Sequence, residues 1–323
     1  MQAPKFWDQK TSKIAKILSP LGALYAWTVA HRLAHHKPYQ AKMPVICVGN
    51  ISAGGTGKTP VCLALADLLK EHDLCPWFLN HGYRAAEQSV VVDVKSHSAL
   101  DVGDEALLLA EYAPTIVDCA RARGAQVAEK KGAPLLIMDD GFQNPSLVKT
   151  FSFVVVDGKK GFGNERVIPA GPLREPVLKG LKRADALILV GQDIWGVQKY
   201  LKENDVDLPV LTGSFVPDEG DLKKLKGLSV FAFAGIGSPE KFFDMLTLKG
   251  IQLIGTQSFP DHYFYTRFDL EDLKKKAKGN VLATTSKDWV KIPPEMRNGL
   301  IQIKGHFEFD APEDAWQLLK ESL

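Results

Sequence analysis

Val45-Ile46-Cys47-Val48-Gly49-Asn50-Ile51-Ser52-Ala53-Gly54-Gly55-Thr56-Gly57-Lys58-Thr59-Pro60 passes from a short apolar run through glycines to Gly-Lys-Thr. A buried strand, a tight turn and a helix start follow in that order, which predicts an α/β fold built around a phosphate loop. Gly54, Gly55 and Gly57 let successive backbone N–H groups turn inward on a polyphosphate. Lys58 can reach the β and γ oxygens, and the Thr59 hydroxyl suits Mg²⁺. Ser52 stands where the usual pattern has its first glycine, and Gly49 lies further upstream. A glycine-rich strand-to-helix turn that binds no nucleotide is therefore the competing reading. Pro60 suits a first helical turn, where no i−4 partner is lost. Val61–Lys70 then reads as a largely buried helix.

At 323 residues, with 45% hydrophobic and 24% charged side chains, the chain has room for two ordinary globular domains. A formal charge of +2 gives no reason to expect nucleic acid, and no obligatory protein partner is evident. The charge is unevenly placed. No Asp or Glu occurs between Asp8 and Asp67, while Lys10, Lys13, Lys16, Arg32, Lys37, Lys42 and Lys58 all fall inside that window. Cys47, Cys62, Cys75 and Cys119 lie far apart and suggest neither a disulfide framework nor a metal cluster. Leu18–Ala30 is apolar but shorter than the ~20 residues needed to span hydrocarbon. A cleaved signal peptide, a buried helix and an interfacial helix all fit it. The last would place Tyr25 and Trp27 at headgroup depth and lysines on lipid phosphates.

From residue 44 onward, strand-like runs alternate with helical patterns, which predicts parallel sheets covered on both faces. The Gly/Pro-rich region Asp157–Pro176 interrupts the alternation and reads as a hinge between two α/β units. Pro134–Gln143 is an apolar strand ending in Asp139-Asp140, the second half of a phosphate-loop site: a carboxylate there can hold Mg²⁺ directly or through water. In isolation the pair could equally cap a turn.

Further motifs follow in order: His81-Gly82-Tyr83-Arg84, Gly103-Asp104-Glu105, Asp139-Asp140-Gly141-Phe142-Gln143, Pro169-Ala170-Gly171-Pro172-Leu173-Arg174-Glu175 and Phe259-Pro260-Asp261-His262. With the phosphate loop, they make nearly the whole chain resemble the tetraacyldisaccharide 4′-kinase family, the lipid A kinases of Gram-negative bacteria. The resemblance implies transfer of the ATP γ-phosphoryl group to the 4′-hydroxyl of a tetraacyldisaccharide 1-phosphate. The enzyme would be peripheral, at the cytoplasmic face of the inner membrane. It also implies a P-loop NTPase-like α/β/α unit, a second, smaller α/β/α unit and an N-terminal membrane-associated helix. The expected division is residues 1–40, 41–150 and 151–323, with the placement of the C-terminal helix open.

Carried over by position, the resemblance assigns nucleotide binding to Ser52, Gly54, Gly55, Thr56, Gly57, Lys58, Thr59, Arg121 and Arg123. It assigns Mg²⁺ to Thr59, Asp139 and Asp140. Asp104 matches the catalytic base and His262 its partner. Arg174 would neutralise charge on the transferred phosphoryl group, and Asn80, Tyr83 and Glu175 would lie near the acceptor. His81 and Asn144 depart from the arginine and histidine common at those positions. A GTP-dependent switch is the alternative class. It would need an Asn/Thr-Lys-x-Asp guanine motif, and Thr284-Thr285-Ser286-Lys287-Asp288 lacks the intervening residue. A non-enzymatic membrane adaptor would not need Lys58, Thr59 and Asp139 together.

Overall fold

The run that opens the phosphate loop is the central strand of a nine-stranded sheet in the computed structural model, which describes residues 4–83 and 85–323. Residues 1–3 and Arg84 lie outside it. In chain order the strands are β1 (Val45–Gly49), β2 (Trp77–Asn80), β3 (Val90–Val91), β4 (Thr115–Val117), β5 (Leu136–Asp139), β6 (Phe151–Asp157) and β7 (Ala186–Val190). There follow β8 (Val210–Pro217), β9 (Ser229–Ala234), β10 (Gln252–Ser258), β11 (Val281–Thr285), β12 (Leu300–Ile303) and β13 (Gly305–Phe309). The large sheet runs β13-β8-β7-β6-β1-β5-β2-β4-β3 and the small one β10-β9-β11-β12. Pairing is parallel except at the outer pairs β13–β8 and β3–β4.

Strand side chains alternate between two cores. Val45, Cys47, Leu136, Met138, Val154 and Val156 face one core, which also holds Ala125 and Ala128 of the helix Arg121–Lys130. Ile46, Val48, Ile137, Phe153 and Val155 face the other, with Val61, Leu65 and Leu69 of the helix Lys58–Glu71. Both faces are covered, so these strands read as continuous apolar runs.

The sheet order corrects the expected division after residue 150. β6, β7 and β8 continue the large sheet outward from β1, and only β9 to β12 build the small one. The antiparallel pair β8–β13 carries the chain out to the small sheet and back. The C-terminal helix Pro312–Lys320 belongs to the large unit, with Ala315 and Leu319 in the core beside Val61 and Leu65. Asp157–Pro176 is no hinge between units. It packs beside the phosphate loop, where Ala53 N–H donates to Pro172 O (2.7 Å) and Arg174 N–H to Ile51 O (2.7 Å). A local pattern reports that a segment is a strand, not which strand lies next to it.

The helix Lys13–His35 is capped by Ser12, whose hydroxyl accepts from Ala15 N–H. It buries only Ala15, Gly22 and Val29, one narrow seam. Arg166 and Arg32 fasten it through Ser19 Oγ (2.6 Å) and Gln143 O (3.3 Å). Ile14, Ile17, Leu21, Leu24, Tyr25 and Trp27 stay exposed. Among the described residues no helix is long and apolar enough to cross a membrane.

β1 ends at Gly49 because the chain crosses Phe142 there: a Cβ on Gly49 would lie 2.5 Å from Phe142 Cβ and 3.0 Å from its backbone nitrogen. Gly49→Ala is expected to cost about 1–3 kcal/mol through overpacking. Urea unfolding measures it, and an unchanged midpoint would show that this crossing is not tight.

Candidate active site

Gly54 and Gly57 take left-handed φ values of 107° and 90°, and Gly57 precedes the helix Lys58–Glu71 with no side chain capping its N-terminus. The first N–H groups of that helix therefore face the loop, ready for an anion. Asn50, buried at the end of β1, shapes the loop: its amide donates to Thr56 Oγ1 (3.2 Å) and Gly54 O (3.4 Å).

The two aspartates have different tasks. Asp139 ends β5 with its carboxylate buried; Oδ2 accepts from Thr59 Oγ1 and Asn80 Nδ2, both at 3.2 Å, and Oδ1 has no partner. Burial, with Glu105 adding to it, pushes its pKa up to about 7 against the pull of Lys58. Asp140 has a left-handed φ of 50° and turns away. Arg174 grips it at 2.9 and 3.2 Å, and Lys58 Nζ lies 3.7 Å from it. Burial disfavours its charge, yet Lys58 and Arg174 bring it down to about 2. An orphaned carboxylate oxygen beside a hydroxyl fits Mg²⁺. No group of three His, Cys, Asp or Glu among the described residues could hold a metal by itself, as suits an ion that keeps waters and phosphate oxygens in its shell.

Across the site, Asp104 opens the helix Asp104–Ala110 and His262 follows β10. His262 Nδ1 lies 3.0 Å from both Asp104 carboxylate oxygens, so its N–H donates to a carboxylate carried on the large unit. Burial works to raise the Asp104 pKa, but the His262 hydrogen bond and the Lys287 charge outweigh it and leave the carboxyl below its ordinary value. Lys287 clamps both neighbours of this pair, reaching Glu105 Oε1 at 3.1 Å and Asp261 Oδ1 at 3.2 Å. Burial opposes its charge, and the carboxylates of Glu105, Asp104 and Asp261 hold it above the ordinary lysine value. Gly237 closes the gap to the phosphate loop: a Cβ there would sit 3.3 Å from Gly55 N and 3.4 Å from Asp261 Oδ2.

The tetraacyldisaccharide-1-P 4′-kinase family pattern matches residues 14–323. This chain belongs to that family. It is 46% identical over 316 residues to tetraacyldisaccharide 4′-kinase of Paramagnetospirillum magneticum, covering 97% of this chain and 96% of the relative. To the Rhodospirillum rubrum protein of the same name it is 45% identical, covering 97% and 95%. A crystal structure of LpxK from Aquifex aeolicus in complex with ATP superposes with a TM-score of 0.75 at 28% identity, covering 96% of this chain and 99% of that one.

Several other residues matched to the family pattern have partners within the protein. Arg121 is buried and donates to the Asp139 and Asp118 carbonyls at 2.9 and 3.2 Å. Arg123 forks onto the Asp118 carboxylate at 2.7 and 2.8 Å. Through these contacts both brace the ends of β4 and β5. Glu175 is buried between Gln143 (2.9 Å) and Arg183 (2.6 Å). Asn80 supports Asp139 and accepts from Gly82 N–H at 2.8 Å. Asp140 is engaged by Arg174 and Lys58. Tyr83 alone of the three acceptor candidates is exposed, its ring 4.8 Å from His262. Asn144 caps a turn by accepting from Ser146 N–H and Oγ.

Sequence reasoning missed Asn50, Arg183, Gly237 and Lys287. Lys287 lay in a segment remarked on only for its failed guanine spacing. Its neighbour Asp288 is buried, ion-paired to Lys291 at 2.8 Å and bonded to Tyr265 and Gly235 N–H, so it reads no base.

The Asp139 environment makes a signed prediction. With its pKa raised from 3.8, the folded chain holds this proton more tightly than the unfolded chain. Its contribution to stability is complete below the ordinary carboxylate pKa and is lost as pH rises through about 7. Asp139→Asn keeps an oxygen for Thr59 and Asn80. In metal-free protein it is expected to raise the melting temperature at about pH 8.5 and to have little effect at about pH 5. Equal shifts at the two pH values would show that Asp139 is not a buried, strained charge.

Proposed function

We propose that this chain transfers the γ-phosphoryl group of ATP to the 4′-hydroxyl of a tetraacyldisaccharide 1-phosphate, a lipid A precursor. The observation carrying this reading is the Asp104–His262 contact, which sets a buried, ionised carboxylate beside a phosphate loop of the right construction. Asp104 takes the 4′-hydroxyl proton as that oxygen bonds to the γ phosphorus, and the bond to the β-phosphate oxygen breaks to release ADP. His262 keeps the carboxylate oriented toward the acceptor.

Lys58 and Arg174, both now resting on Asp140, would meet the transferring group. Their shared counterion keeps them poised at the loop mouth. Mg²⁺, when bound, supplies further charge neutralisation on the β and γ oxygens; Asp139 Oδ1 and Thr59 Oγ1 would hold it. Removing either dyad member is expected to lower kcat by about 10²–10⁴ with a smaller change in KM for ATP. The double variant Asp104→Ala/His262→Ala should lose far less than the product of the singles. The test is transfer of label from γ-labelled ATP to lipid A precursor; strictly multiplicative losses would remove the dyad, and no label in lipid from wild type would remove the function.

We also place the protein peripherally at the cytoplasmic face of the bacterial inner membrane. The exposed Ile14, Ile17, Leu21, Leu24, Tyr25 and Trp27 lie on a helix within an acid-free interval. Each nearby Lys or Arg adds on the order of 1 kcal/mol against an anionic surface, a part that salt screens, while apolar insertion is not screened. Sedimentation with anionic vesicles should be partly reversed in about 1 M salt and fully reversed only by detergent. Leu21→Glu/Leu24→Glu should abolish pelleting while leaving ATP binding intact; pelleting as in wild type would show that this face does not meet lipid.

A further inference from the structure

Lys287 closes a ring of charged groups that spans the two units. Its ammonium reaches Glu105 Oε1 on the large unit at 3.1 Å and Asp261 Oδ1 on the small unit at 3.2 Å. Asp261 in turn accepts from His262 N–H at 3.0 Å, His262 Nδ1 meets Asp104, and Asp104 Oδ1 accepts from Glu105 N–H at 3.0 Å. The other links join sequence neighbours or are the Asp104–His262 contact itself, so Lys287 is the one member supplied by a separate segment.

That segment is anchored on both sides of the lysine. Thr285 caps the helix Ser286–Trp289 by accepting from Asp288 N–H at 3.1 Å. Asp288 and Lys291 pair at 2.8 Å, both fully buried. Asp288 Oδ1 also accepts from Gly235 N–H (3.0 Å) and Tyr265 OH (2.8 Å), and Lys291 Nζ donates to Gly235 O at 2.9 Å. With its root fixed, the flexible lysine stem delivers its charge to one place.

The carboxylates of Asp104, Glu105 and Asp261 converge on that place. Without an ammonium among them like charges would crowd a site of low polarity, and the cheapest relief is a proton on one carboxylate. A protonated Asp104 could not take a proton from a hydroxyl. Burial already works in that direction, and the His262 hydrogen bond and then the Lys287 charge oppose it. Of the other groups near Asp104, Lys291 adds a smaller positive effect and the Tyr83 ring lies 4.8 Å from His262. β2 and β4, against which the helix Asp104–Ala110 packs, carry no ionisable side chain. Asp101 is turned to Ser98, and Asp67 and Lys70 pair at 3.8 Å beside Tyr112.

We propose that Lys287 is a positioning residue of the transfer reaction: by bridging the carboxylates on either side of the Asp104–His262 contact, it aligns that pair across the two units and leaves Asp104 free to take a proton. The inference rests on the lipid-kinase reading above and adds the residue on which its base depends. Lys287 acts through Glu105 and Asp261 and needs no contact with nucleotide or acceptor.

The full-length protein is assayed in mixed micelles at saturating ATP and at two Mg²⁺ concentrations, following kcat/KM for tetraacyldisaccharide 1-phosphate from about pH 4.5 to about pH 9. Lys287→Gln should move the midpoint of the acidic limb up by about 1–3 pH units, making the loss severalfold larger at about pH 5 than at about pH 8. KM for ATP should stay within about twofold of wild type, and Lys287→Arg, which keeps the charge, should restore the limb. The proposal is overturned if Lys287→Gln lowers the rate equally at every pH or leaves the profile unchanged. A limb that moves with Mg²⁺ concentration would trace to Asp139 and overturn it as well. Should urea denaturation show that Lys287→Gln does not fold, Lys287→Gln/Asp261→Asn, which removes one of the carboxylates left unpaired, is held to the same readings. Wild type that labels no lipid removes the lipid-kinase reading itself, whereas labelled lipid with an unmoved limb removes only the role of Lys287.

Discussion

A loop that binds polyphosphate must leave its own N–H groups unpaired, and the rest of this structure is arranged around that requirement. The loop cannot be held by hydrogen bonds along its inner rim, so it is held from outside. Asn50 ties it to the end of β1, and the Pro172–Arg174 segment flanks it through Ala53 N–H and Ile51 O. That segment is in turn fastened by Glu175 to Gln143 and Arg183. The N-terminal helix joins the same assembly through Arg166 and Arg32, so the surface proposed to meet lipid is mechanically continuous with the phosphate site.

The same logic governs the charges. A site meant for a polyanion gathers cations, and without its ligand those cations need counterions. Asp140 serves as counterion to Lys58 and Arg174. Asp139 is left with one buried oxygen unsatisfied and a proton held more tightly than usual, a local cost that metal coordination would relieve. Arg121, with no route to solvent, supports the Asp139 backbone rather than its carboxylate.

The two units meet through charge as well. Lys287 reaches from the start of the helix after β11 to Glu105 and Asp261, the residues beside Asp104 and His262. An ammonium shared between carboxylates on both units orients the dyad without touching an acceptor. Apolar packing also joins the units: Val290 and Phe264 of the small unit pack against Val102, Ala106 and Leu107 of the large one.

Much was legible in the chain alone. β1, the glycine turn and the helix that follows were set by apolar periodicity and by residues able to take positive φ, both local properties. The strands Thr115–Val117 and Ala186–Val190 and the helix Pro239–Leu248 have the bounds their runs of apolar residues suggest. Edge strand β10, with only half-buried positions alternating with exposed ones, carried too weak a pattern to be read. Resemblance supplied the pairing of Asp104 with His262, residues 158 positions apart that no periodicity could join. Tertiary structure alone decided that β6 to β8 extend the large sheet, which partners Arg121, Arg123 and Glu175 take, and that Asp140 answers two cations while Asp139 keeps an oxygen free. The reason is physical: a local pattern encodes burial and backbone conformation, whereas a guanidinium or carboxylate chooses among partners that only the folded chain brings within 3 to 4 Å.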